Sequence, residues 1–178
     1  FTTAMDNNAA AFDDGGVSLT DKVIDTGAAE IASVVANAAK LAANQVSSIT
    51  LTATQYNTIA SSASTLQDGA LTLAVANGET FDFSSDANLN AKLATSATVA
   101  ADATLTISAA QADNMTITGA GAVKINGVDA NTNLSGIDTG GGVTAVVNNG
   151  IDISGNADLG TVDNFNINTD ASVTMTIV

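Results

Sequence analysis

Apolar residues recur along this chain with two periods, and the change between them divides it. From Ala28 to Asn44 the positions Ile31, Val34, Val35, Ala38 and Leu41 fall on one helical face. That spacing predicts an amphipathic helix over 28–44, capped by Asp25 or Thr26. After Gln45 the period becomes two. Ile49-Thr50-Leu51-Thr52, Leu71-Thr72-Leu73-Ala74-Val75, Phe81-Asp82-Phe83 and Leu105-Thr106-Ile107 all alternate. So do Met115-Thr116-Ile117-Thr118, Val123-Lys124-Ile125, Ile151-Asp152-Ile153 and Val173-Thr174-Met175-Thr176-Ile177. Short Thr-rich strands with one buried and one wet face follow from this pattern. Beyond residue 46 almost no helix is expected, except a turn near Asn88–Leu93.

The resulting organisation is a polar segment plus helix over 1–46, packed on a β-rich domain over 47–178. The expected fold is therefore mainly β with one N-terminal amphipathic helix. An elongated β-solenoid-like stack of short strands is one architecture, and an antiparallel β-sandwich is the alternative. Asn-Gly pairs support the sandwich through hairpin registers. A loop at Ala76-Asn77-Gly78 pairs Leu73 with Phe81 and Leu71 with Phe83, which keeps apolar side chains together. Asn148-Asn149-Gly150 pairs Val147 with Ile151, and a two-residue turn at Asn126-Gly127 sets Ile125 opposite Val128. Corners of a β-solenoid also use Asn and Gly, so both architectures stay open. Gly119-Ala120-Gly121 lacks a following helix and reads as a turn rather than a phosphate cradle.

A weak repeat accompanies the strands. Ser48-Ile49-Thr50-Leu51-Thr52-Ala53-Thr54-Gln55 aligns with Thr104-Leu105-Thr106-Ile107-Ser108-Ala109-Ala110-Gln111. A third start appears at Ala171-Ser172-Val173-Thr174-Met175-Thr176, and the unequal spacings depart from a strict period.

Composition removes most chemistry. The 178 residues include no His, Cys, Trp, Pro or Arg, and Ala (34), Thr (24) and Asn (18) dominate. Triads, thiol nucleophiles, zinc sites and disulfides all need residues that are missing. Aromatics are 3% of the chain, too few for the sugar platforms that usually accompany paired catalytic carboxylates. No enzyme is expected. Sixteen Asp and two Glu against four Lys give a net charge of −14. Phosphate backbones are repelled and no Arg reads a base edge, so nucleic acid is excluded as a partner. No apolar run approaches the length of a membrane span, so no membrane insertion is expected.

Calcium is the cofactor that the acidic turns suggest, since it takes oxygen ligands from Asp, Asn and loop carbonyls. The candidate ligands are Asp13 with Asp14, Asp82 with Asp86, and the group Asp152, Asp158 and Asp163. The competing explanation is that turn Asp residues bond their own backbone.

Several of these segments look familiar. Val23-Ile24-Asp25-Thr26 with the Ala-rich run through Ile31 and Ser48-Ile49-Thr50-Leu51-Thr52, then the segments 109–121 and 151–159, resemble repeat modules of large bacterial surface and type I-secreted proteins, adhesins and S-layer-like proteins among them. The calcium-binding nonapeptide Gly-Gly-x-Gly-x-Asp of RTX proteins is absent. The resemblance implies an extracellular, cell-surface structural protein that self-assembles into a filament or S-layer-like lattice. It implies equally an adhesion module of a giant repetitive protein, with cell-surface glycans as partners. For assembly, Val173, Met175 and Ile177 are the candidates. They lie on one face of an alternating strand suited to head-to-tail addition to a second copy of the chain.

Overall fold

The computed structural model describes residues 17–23, 46–59, 68–69, 71–148 and 150–168. Its strands are β1 (Val17–Val23), β2 (Val46–Thr52), β3 (Leu71–Val75), β4 (Thr80–Asp82), β5 (Leu93–Val99) and β6 (Thr104–Ser108). They continue as β7 (Thr116–Gly119), β8 (Ala122–Val128), β9 (Ile137–Thr139), β10 (Val143–Val147) and β11 (Asn164–Ile167). Short helices α1 (Ala53–Ile59), α2 (Ala87–Lys92) and α3 (Ala109–Ala112) punctuate them. The chain forms two compact units, residues 1–74 with 87–96, and residues 75–86 with 97–178.

In the first unit β1 pairs with β2 and β2 with β3, both in parallel. Ile49 lies opposite Leu71 and Leu51 opposite Leu73. Leu51, Leu71 and Leu73 are buried, as are Tyr56 of α1 and Leu89 of α2. The Thr side chains of the same strands alternate away from this core, so the period-two pattern sorts the faces.

In the second unit the chain alternates between two sheets. One holds five strands in the order β11-β10-β8-β6-β4, all parallel. The other contains β7 and β9, also parallel. From β6 to β10 a strand of one sheet is followed by a strand of the other, and the chain then returns beside its starting point. This supplies the crossover that a parallel pair needs. Partners are therefore distant in sequence: Thr80 lies beside Thr104, Thr104 beside Ala122, Val123 beside Val143 and Thr144 beside Asn164. Apolar positions line up into rows through the core, Phe81–Leu105–Val123–Val143 and Ile107–Ile125–Ala145. Leu105, Ile107, Val123, Ile125, Val143 and Ala145 are all buried, with Ile117 and Ile137 from the second sheet.

The corners explain the glycines. Gly119-Ala120-Gly121 joins β7 to β8, and Gly140-Gly141-Gly142 joins β9 to β10. These corners stack: the Gly140 N–H donates to the Gly119 carbonyl at 2.8 Å, and that of Gly121 donates to Val99 at 3.1 Å. A Cβ on Gly121 would lie 2.7 Å from the Ala103 carbonyl oxygen, so backbone passes where a side chain would stand.

These observations correct the expected fold class. The chain is mainly parallel β with few, short helices. An antiparallel β-sandwich is ruled out because every pairing among the described residues is parallel. The hairpins fail for the same reason: β3 and β4 do not pair, and Val147 lies beside Val128 and Ile167 instead of Ile151. The elongated stack expected across the β region gives way to two compact units. The amphipathic helix expected over 28–44 lies outside the described residues, α2 falls where a turn was expected near Asn88–Leu93, and α1 and α3 stand where no helix was expected. Asn126-Gly127 is not a turn either. Val146 and Val147 face Asn126 and Val128, so Gly127 is the extra residue of a bulge, with φ +80°.

Candidate functional site

The weak repeat proves to be a strand followed by a reciprocal helix cap. At the end of β6 the Ser108 hydroxyl accepts the Gln111 N–H, while Gln111 Oε1 accepts the Ser108 N–H at 2.8 Å. At the end of β2 the Gln55 N–H donates to the Thr52 hydroxyl, and the Thr52 N–H donates to Gln55 Oε1 at 2.8 Å. Each is a capping box that starts a short helix. Gln111 does more. Its buried Nε2 donates to the carbonyls of Phe83 (2.9 Å) and Asp86 (2.8 Å), tying one circuit to the one before it. Gln55 Nε2 is buried too and has no hydrogen-bond partner among the described residues.

The Asp residues proposed as calcium ligands are spread over separate turns. Asp82 Oδ1 accepts both the N–H and the hydroxyl of Ser84, and Asp152 Oδ1 accepts the Ser154 N–H at 2.9 Å. Asp86 closes the turn that Asp82 opens, its N–H donating to the Phe83 carbonyl. Asp158 follows Asn156, whose Oδ1 accepts the Asp158 N–H. Asp163 Oδ2 accepts the Val143 N–H at 2.7 Å, which fastens the approach to β11 against β10. Among the described residues no three acidic groups converge as a metal site would require. Asp13, Asp14, Val173, Met175 and Ile177 lie outside the described residues.

The Ser84 hydrogen bonds hold the Asp82 carboxyl below its ordinary value of 3.8, with Lys124 adding a smaller pull. Asp152 is lowered in the same way by Ser154. A carboxyl depressed in the folded state stabilises the fold above its unfolded value, and that contribution disappears as pH falls through the folded value. Asp82→Asn is therefore expected to reduce stability near neutral pH and to match the wild type in strong acid. Urea unfolding at a series of pH values checks this. A stability difference that grows on acidification would contradict it.

The strand that the sequence reading passed over is the most exposed one. Asn164-Phe165-Asn166-Ile167 is absent from the strands expected above, although it alternates and follows Thr144-Ala145-Val146-Val147 at the circuit interval. In β11, Phe165 pairs with Ala145 and Ile167 with Val147, so both continue the buried rows. Yet each is 39% exposed, and they are the exposed large apolar residues among those described. No helix among the described residues is long and apolar enough to cross a membrane. Searches against protein-family models, curated proteins and solved structures give no match to this chain.

Proposed function

We propose that this chain is an extracellular structural protein that assembles with copies of itself into a cell-surface filament or lattice. The observation that supports this most is β11, which among the described residues ends a five-stranded parallel sheet, with Phe165 and Ile167 in register with the core yet exposed. A sheet edge of this kind offers unpaired backbone groups and an apolar face to an incoming strand. Two copies of β11 related by a two-fold axis perpendicular to the sheet would run antiparallel. Continuing the sheet in parallel therefore calls for a different strand of the second copy, and that contact is head-to-tail and propagates. The acidic surface keeps single subunits soluble before they join.

Phe165→Asp combined with Ile167→Lys tests the proposal, because both side chains stand at the exposed end of their rows and the buried members of those rows stay unchanged. Sedimentation and electron microscopy of the wild type are expected to show growing assemblies. The double variant is expected to remain a folded monomer. A wild type that stays monomeric at high concentration removes the proposal, and a double variant that still elongates removes β11 as the contact.

A further inference from the structure

The outer face of the five-stranded sheet carries a groove of about 390 Å³ lined by Lys124, Asn126, Val146, Asn148, Asn166, Ile167 and Asn168. Parallel pairing builds it: Asn126, Val146 and Asn166 stand side by side on β8, β10 and β11, one row away from Lys124. The bulge at Gly127 shapes its floor. Asn148 Nδ2 lies 3.6 Å from where a Cβ of Gly127 would be, which is ordinary contact distance, so the amide stands directly beside the bulge.

What distinguishes this groove is unspent polar capacity. Asn126 Nδ2 donates to the Ser84 hydroxyl at 3.2 Å. Among the described residues the side chains of Asn148, Asn166 and Asn168 make no hydrogen bond, and Lys124 makes neither a hydrogen bond nor an ion pair and feels only the longer-range attraction of Asp82. Lys92, by contrast, is paired with Asp68. An unpaired ammonium is unexpected on a chain with net charge −14, where carboxylates outnumber lysines more than fourfold.

We infer that this groove binds an acidic saccharide, a sugar chain carrying uronic-acid carboxylates. A carboxamide is at once donor and acceptor, as a sugar hydroxyl is, so a row of free carboxamides matches a row of hydroxyls. An ammonium donates only, and among sugar substituents it selects the carboxylate. Val146 supplies apolar surface for the C–H face of the ring. The volume falls within the range of ligand sites, about 300–1,000 Å³. Without Arg or an aromatic platform the affinity is low, with a Kd of about 1 mM. The other acidic residues repel an anion at long range, but physiological salt screens charges beyond about 8 Å and leaves the contact with Lys124 in place.

Equilibrium dialysis of the full chain against labelled digalacturonate, with neutral digalactose as the comparison, tests the inference in monomer and assembly alike. The wild type is expected to retain the acid about two- to fivefold more strongly than the neutral sugar, the range of one exposed ion pair. Lys124→Gln is expected to erase that preference and keep weak retention of both sugars. Asn148→Leu with Asn166→Leu is expected to lose both, and Lys92→Gln to behave as wild type. Circular dichroism establishes that each variant is folded. No retention of digalacturonate by the wild type, or a preference that survives Lys124→Gln, overturns the inference.

Discussion

Gly119→Ala is expected to destabilise the fold by about 3 kcal/mol or more, enough to threaten a domain of ordinary stability. Two effects act together there. Gly119 has φ +124°, a region that side chains with a Cβ rarely enter. A Cβ built on it would also collide with the Val99 carbonyl oxygen and lie 2.9 Å from its carbon. Neither atom can move alone, because the neighbouring Gly121 N–H is hydrogen-bonded to that same carbonyl. Gly78→Ala is the matched comparison. Its φ is +73° and nothing lies within 4 Å, so it carries only the backbone strain, about 1–2 kcal/mol. Urea midpoints of the two variants measure the difference. Equal losses would mean that the stacked corners are looser than described.

Gln111→Leu is expected to cost about 3 kcal/mol, although leucine is of similar size and better suited to burial. The substitution removes the reciprocal cap on Ser108 and strips the Phe83 and Asp86 carbonyls of their shared donor. Gln55→Leu shares the cap but not the tie, since Gln55 Nε2 has no partner among the described residues. It is expected to cost about 1 kcal/mol, as removing an orphan buried donor offsets part of the lost cap. Thermal or denaturant unfolding of both variants separates the contributions. If Gln55→Leu proves as damaging as Gln111→Leu, the link between circuits is not what gives Gln111 its weight.

The strands were legible because alternation marks a half-buried strand whatever its partner. Leu71–Val75, Leu105–Ile107 and Val123–Ile125 all fall inside observed strands. Their partners were not legible. An apolar row is satisfied equally by a neighbour reached through a tight turn and by one reached a circuit later, so Leu73 opposite Phe81 looked as sound as Leu73 opposite Leu51. Positive φ at Gly78 and Gly127 is what a hairpin turn demands, and also what a corner and a bulge demand. The Ala-x-Gln repeat was visible as similarity, but its meaning lay in the Gln carboxamides, which bond to backbone that composition cannot place. The acidic candidates illustrate the same limit. Asp82 and Asp152 each precede a Ser two residues later, and that local spacing already satisfied them. The exposed groove drew on Asn126, Asn148 and Asn166, which lie 18 to 22 residues apart and meet only through parallel register.

The equal intervals from Val123 to Val143 and from Thr144 to Asn164 make the chain countable in whole circuits. A change of one residue within a strand turns every later side chain to the wrong face, whereas loss or gain of a full circuit returns each row to its own line. Length in this unit is therefore inherited in steps of about one strand spacing, about 4.8 Å.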